Sequence, residues 1–346
     1  MTLLAATVLP ISSMAQSTVT LYGRLDVSVE SLRFGSTSTR AASHLNVVTS
    51  DASNWGIRGS EDLGDGLRAF FKLESGIAVD TGIAGASSQF WNRESYVGLG
   101  SDTFGSLLLG SQWAPGLWQS INVDPFQRFG PGGQPTLMQG GQGSRGYGLQ
   151  FNNAVQYITP KFGGVSARLY AVPSEGAGAG KAQAVSVDFK EGPIFAGALY
   201  EKIKVAAPSV GLIGGPVDSR TASAAGTYDF GVAKLHAQYM TNRIDGYSNV
   251  NAYLAGVTVP FGLSEVRASY AHRSATNANA TNIGVGYVYF LSKRTLLTAT
   301  VAHLKNEGAA AFRSGPAFGE QAALGPAGPG AGQPTTAYQL GVRHYF

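Results

Sequence analysis

The last nine residues, Tyr338-Gln339-Leu340-Gly341-Val342-Arg343-His344-Tyr345-Phe346, alternate strictly to the final position. Phe346, His344, Val342, Leu340 and Tyr338 share one face, while Tyr345, Arg343, Gly341 and Gln339 share the other. A repeat of two is a strand repeat, and one of these faces is almost wholly apolar or aromatic. Chain ends ordinarily fray unless something ties them down. A closed barrel supplies the tie, because its last strand pairs with its first and leaves no edge. The clearest strand pattern elsewhere lies near the other end. There Val19, Leu21, Gly23, Leu25, Val27 and Val29 alternate with Thr20, Tyr22, Arg24, Asp26, Ser28 and Glu30. Soluble strands average about 5–6 residues; this one is about twice that, near the roughly 9–11 of a tilted membrane strand. Residues 19–30 and 336–346 are expected to pair and close the barrel.

Composition excludes the main competitors. After the N-terminus there is no apolar run approaching the roughly 18–20 residues of a spanning helix. The mean hydropathy of +0.01 is what a wall alternating between lipid and water averages to. With no cysteine among 346 residues, disulfides, Cys-based metal sites and thiol catalysis are absent. The 25 basic and 21 acidic residues are spread singly, which is not the clustered pattern of a nucleic-acid surface. His44, His236, His272, His303 and His344 contain no i,i+4 pair or zinc spacing, so neither metal nor other cofactor is expected. Gly141–Gly146 formally fits G-x-G-x-x-G, but it follows a Pro/Gly-rich stretch and precedes an alternating one, not a helix. His236, inward on a strand, is the one candidate for triad chemistry, and a satisfied lumenal histidine is the plainer reading. No enzyme is expected.

Residues 1–15 read as the end of a secretory signal, a short apolar core followed by Ser13-Met14-Ala15, leaving one barrel domain over 16–346. The basic n-region is missing, which predicts a start upstream of Met1.

Two kinds of connection alternate along the chain. Short ones carry turn chemistry: Glu61–Gly66, Gly100–Gly105, Pro160–Gly164, Glu191–Pro193, Asp229–Gly231, Pro260–Leu263 and Leu291–Arg294. Long ones, rich in Gly, Ser, Ala and Pro, cover roughly 34–52, 75–89, 111–146, 173–182, 202–219, 242–249, 272–280 and 307–334. Seven turns and eight loops predict an all-β, 16-stranded antiparallel transmembrane barrel. Short periplasmic turns and long extracellular loops are the asymmetry of that class.

At the level of motifs the chain resembles the trimeric general porins of the Gram-negative outer membrane, in their β-proteobacterial branch. The resemblance spans essentially the whole of 16–346. It is carried by Val19–Arg24, Trp55–Leu67, Asn92–Leu99, Asp124–Phe126, Asn152–Tyr157, Leu291–Thr295 and Gly341–Phe346, in that order. It implies a homotrimer in the cell outer membrane, surrounded by lipid, passing small hydrophilic solutes and ions. It implies a third loop folded into the lumen opposite basic wall residues; a loop lying outside as a cap is the alternative. The terminus resembles the family's assembly signal, with Gly341, His344 and Phe346 read by the barrel-assembly machinery.

The pore constriction can be drafted from strand parity. Arg24 lies on the polar face of the first strand, Arg58 is out of phase with Trp55 and Ile57, and Arg68 and Lys72 with Leu67, Ala69, Phe71 and Leu73. Arg93 matches the basic residue that opens the fourth strand in the family. A charge on the lipid face costs about 2–4 kcal/mol at mid-bilayer, which favours inward placement; a rim Arg reaching the headgroups is the other possibility. Asp124 in the third loop is expected to face this wall, with Arg128 and Arg145 beside it. Parity sets Glu94 opposite Arg93, on the outer wall, as a hint of a protein contact there. Two positions depart from the family: Gln150 and Ser111 stand where it often has arginine, thinning the basic ladder, though Arg145 could substitute. The balance predicts a weakly anion-selective general diffusion channel. A substrate-selective anion or sugar channel is the alternative, suggested by Trp113, Trp118 and Phe126, and an outer-membrane enzyme or adhesin is the remote one.

Overall fold

The computed structural model describes residues 17–84, 89–139, 149–176, 180–206, 215–247, 249–314 and 328–346; the leader at 1–15, Arg145 and Gly141–Gly146 lie outside them. The elements of the first third are β1 (Thr18–Phe34), β2 (Ser43–Ser50), β3 (Asn54–Gly64), β4 (Leu67–Ala78), β5 (Ile83–Ala84), β6 (Glu94–Ser101) and β7 (Gly105–Trp113). Two helices follow, α1 (Pro115–Val123) and α2 (Pro135–Gln139). Then come β8 (Gln150–Ile158), β9 (Val165–Val172), β10 (Ala182–Glu191), β11 (Ile194–Val205), β12 (Val217–Asp229) and β13 (Lys234–Ile244). The chain ends with β14 (Val250–Phe261), β15 (Ser264–Ser274), β16 (Ala280–Phe290), β17 (Thr295–Asn306) and β18 (Thr335–Tyr345).

Successive strands pair antiparallel, and β18 returns to β1 in a register running from Arg24↔Tyr345 to Phe34↔Thr335. The backbones of Gly23 and Phe346 exchange hydrogen bonds of 3.0 and 3.1 Å, so pairing extends to the last residue. The barrel is closed, as the terminal alternation requires. β2 and β3 are two halves of one wall strand, since both pair with β1, at Val27–Phe34 and Thr18–Arg24 respectively. Counting them once, and setting aside the two-residue β5 that flanks β4, leaves sixteen wall strands.

Residues 43–50, expected within a loop, are instead β2. Their alternation is short, but Leu45 packs inward against the buried trio Leu32, Phe34 and Ala337. The ladder breaks only at 51–53, where Ala52 takes a left-handed φ of 53° and the Ser53 hydroxyl accepts the Asp26 N–H at 2.8 Å. Turn chemistry behaves as read: Gly64, Asp65 and Gly66 carry φ values of 86°, 51° and 74°, a conformation open mainly to Gly and Asx.

Register sorts the side chains. Val19, Leu21 and Val29 are more than half exposed on the outer surface, while Asp26 and Glu30 on the other face are almost fully buried. A barrel of this size would leave an open lumen. Here much of the interior face is covered because residues 114–139, which follow β7, lie inside.

Candidate functional site: the inward third loop and the basic wall it faces

The third loop begins with α1, whose Pro115 sits in the first turn, where its missing N–H costs nothing. At the end of α1 the Asp124 carboxylate accepts the N–H of Phe126 at 2.9 Å and that of Gln134 at 2.7 Å, folding the segment back on itself. The Arg128 guanidinium donates to the Ser120 hydroxyl at 2.5 Å from within the same fold. Burial pushes the Asp124 carboxyl up to about 6 against the pull of those N–H donors. Asp124 is thus the internal fastener of the loop. It does not form an acidic pole facing the wall, because only 3% of it is exposed and its oxygens are committed to backbone.

The loop is seated by matched polarity and matched shape. Gln119 donates to the Gly197 carbonyl at 3.1 Å and accepts from Ser223 and Gln238. His236 donates from Nδ1 to the Val123 carbonyl at 2.9 Å, the satisfied lumenal role expected of it. Asn282 donates to the Pro131 carbonyl and Arg273 to that of Leu137, both at 3.1 Å. Val123, Leu137 and Met138 pack on Met240, Leu254 and Leu304 of the wall. Three inward-phase glycines open notches in the wall: Pro125 enters at Gly256, Gly132 at Gly284 and Phe126 at Gly286. A Cβ at Gly284 or Gly286 would lie 2.5 Å from the loop, inside any tolerable contact.

At its tip the loop crosses to the kink between β2 and β3. The Gly130 N–H meets the Asp51 carboxylate there, and the Phe129 ring lies beneath the guanidiniums of Arg24 and Arg343 at 4.3 and 3.9 Å. Arg24 faces inward as parity requires, but it donates to the Ala52 carbonyl and stands behind the loop tip, away from the open lumen. Arg343 is held by Asp26 at 2.5 Å.

The free side of the lumen is lined by β3, β4, β6 and β9. Arg58 stacks on the Tyr22 ring at 4.9 Å and, among the described residues, has no acidic partner within ion-pair distance. Lys72 sits between Glu74, at 3.1 Å, and Glu94. Arg93 pairs with Glu74 at 2.6 Å and stacks on Trp113 at 4.9 Å. Further round, Arg168 pairs with Asp188 at 2.5 Å and approaches the Trp118 ring at 5.9 Å. In these pairs the cation stands nearer the water: Lys72 side-chain exposure is 19% against 6% for Glu74 and 4% for Glu94. The acids are sunk into the wall beneath the bases.

Other expectations need correcting. Glu94 points into the barrel, opposite Glu74 in register, and not toward a protein contact outside. Parity misplaces it because Arg93 lies in a bend before β6, and alternation does not carry across a bend. Arg68 is at the periplasmic rim, 44% exposed and paired at 3.0 Å with Asp102 of the next turn. It lies four residues from Lys72, about 13 Å along the strand, outside any constriction. Gln150 and Ser111 bond to each other at 2.5 Å, and Gln150 also donates to the Arg93 carbonyl at 2.9 Å, so a neutral pair occupies this stretch of wall. Sequence reasoning does not reach Arg168 or the three notch glycines. The glycines have a sequence signal, inward phase on neighbouring strands; the approach of Arg168 to Trp118 has none.

A closed barrel, apolar outside and charged within, and narrowed by a loop hydrogen-bonded to its inner wall, is a water-filled channel for crossing a membrane. Residues 1–309 match the Gram-negative porin family, and the chain belongs to that family. It is 34% identical to outer membrane porin protein 32 of Delftia acidovorans, over 97% of this chain and 96% of that one. An outer membrane porin protein of Bordetella pertussis is 28% identical over 97% and 96% of the two chains. Among solved structures, the anion-selective porin from Comamonas acidovorans superposes with a TM-score of 0.79 at 29% identity, covering 96% of this chain and 100% of that one. OmpT of Vibrio cholerae shares the fold at 16% identity, with a TM-score of 0.67 over 98% and 100% of the chains. The chain is an outer-membrane β-barrel porin.

Proposed function

We propose that this porin is a homotrimeric general diffusion channel for small hydrophilic solutes and ions, with a weak preference for anions. The supporting observation is the layering of the lumen: Arg58, Lys72 and Arg93 are presented to the water while Glu74 and Glu94 lie beneath them. A low-dielectric wall focuses the field of such charges across a narrow gap and concentrates solute of the opposite sign. Binding stays weak because a solute must also leave. The likeness to an anion-selective porin points the same way. General diffusion is favoured over a dedicated substrate track because Trp113 and Phe126 are buried, leaving Trp118 as the half-exposed aromatic of the three. We assign the constriction to Arg58, Lys72 and Arg93, and the terminal Gly341, His344 and Phe346 to recognition by the assembly machinery. Reversal potentials in a KCl gradient provide the test. The wild type is expected to favour chloride, most strongly at low salt where screening is least, and Arg58→Ser to shift toward potassium. A potassium preference in the wild type refutes the reading.

A further inference from the structure

We propose that the outer surface of the barrel, at the extracellular ends of β11, β12 and β13, is a binding surface for phosphate-bearing lipid headgroups of the outer leaflet. The register places Lys202 opposite Arg220 and Arg220 opposite Arg243, so three cations form one straight row across three adjacent strands. All three are on the outward face, since their neighbours Glu201, Thr221 and Asn242 are buried toward the lumen. Lys204 lies two residues beyond Lys202 on the same face. Like charges directly opposite on neighbouring strands repel and are unfavourable unless an anion compensates.

The protein's own compensation is incomplete. Asp218 reaches Lys202 at 2.8 Å, Arg220 at 3.1 Å and Lys204 at 3.7 Å, and Asp245 reaches Arg220 at 2.7 Å. Among the described residues, Lys202, Lys204, Arg220 and Arg243 against Asp218 and Asp245 leave a local charge of plus two. Lys202 and Lys204 keep 43% and 42% of their side chains exposed, whereas the central Asp218 keeps 15%. Asp245 is 55% exposed but is engaged with Arg220, so the charge left over at the surface is cationic, carried by Lys202, Lys204 and Arg243 around the recessed Asp218.

Depth identifies the partner. Tyr200 lies on the same face two residues nearer mid-membrane than Lys202 and is exposed, as is Tyr239 on β13. Outward tyrosines settle where lipid tails meet headgroups. Lys202 is about 7 Å further along the strand, about 5 Å higher at the tilt of such barrels, among the headgroups, where a basic cluster meets lipid phosphate. The ends concerned, at Val205, Val217 and Ile244, lie opposite the short periplasmic turns, on the extracellular side.

The test is native mass spectrometry of the intact porin in detergent, titrated with diphosphorylated lipid A. The variant Lys202→Gln/Lys204→Gln/Arg220→Gln/Arg243→Gln is expected to weaken binding by roughly fivefold per charge removed at low salt. Lys202→Gln/Lys204→Gln, which leaves the Arg220–Asp245 pair intact, should give an intermediate loss and still decides the matter if the quadruple variant folds poorly. Lys293→Gln/Arg294→Gln, at the opposite end, should bind as wild type. Equal binding by wild type and Lys202→Gln/Lys204→Gln overturns the proposal. So does displacement of the lipid by inorganic phosphate alone, which would mark a free-anion site. So does a changed oligomeric state in the variants, which would mark a contact between protein copies.

Discussion

Lys72 is the hinge of the lumenal charge arrangement, and removing it should change selectivity and stability together. In Lys72→Met, Glu74 keeps Arg93 at 2.6 Å and the Tyr22 hydroxyl at 2.8 Å. Glu94, with 3% of its surface exposed, loses its ion pair. Deleting one partner of a fully buried pair costs about 3–5 kcal/mol. Lys72 retains about a fifth of its side-chain exposure, so solvent screening lowers the expected loss to about 2–3 kcal/mol. The charge balance moves as well. Arg58, Lys72 and Arg93 against Glu74 and Glu94 give plus one, and Lys72→Met reduces this to zero. Reversal potential in a KCl gradient should fall toward zero, and the folded barrel should melt earlier in heat-modifiability gels. Adding Glu94→Gln returns the balance to plus one and removes the orphaned carboxylate, so the double variant should regain both properties. A double variant less stable than Lys72→Met, or one still without anion preference, would show that Lys72 does not hold Glu94 in the wild type.

Gly286→Ala should push the Phe126 ring off the wall by about 1 Å, the gap between the built contact and an ordinary one; single-channel conductance is expected to fall, and an unchanged value refutes the seating. Asp124→Ala orphans the N–H groups of Phe126 and Gln134, at about 1–3 kcal/mol each, and is expected to increase open-channel current noise; noise at the wild-type level would refute the fastening. Gly23→Val places side-chain atoms against the Phe346 ring, which a Cβ would already approach within 2.7 Å of Cε1, so refolding in detergent should yield less closed, heat-modifiable barrel; a wild-type yield would mean the terminal ring does not contribute to closure.

Where the chain is a continuous ladder, its sequence could be read almost residue by residue. Alternation put Arg58 and Lys72 inside and Trp55 and Ile57 outside, and the turn residues fixed the count of connections. Legibility ended wherever the period of two was interrupted. Glu94 follows a bend, and β2 is separated from β3 by the left-handed Ala52, so the phase on one side said nothing about the other. Inside the third loop no periodicity applies at all. The direction of Asp124 is set by the N–H groups of Phe126 and Gln134 that it gathers, one of them ten residues away along the chain. Such contacts are tertiary, and residue type alone carries no trace of them.

The kink at 51–53 gives the third loop a mechanical role. The loop leaves the wall at β7, is bonded along β11 to β16, and at its tip sets Gly130 on Asp51 and Phe129 under Arg24 and Arg343. It is a tie-beam inside a thin cylinder, joining staves on opposite sides of the wall. Squeezing or ovalising the cylinder must load that beam. The width of the passage is therefore coupled to the cross-section of the whole barrel, and lateral pressure from the surrounding bilayer reaches the narrowest point through the protein's own bracing.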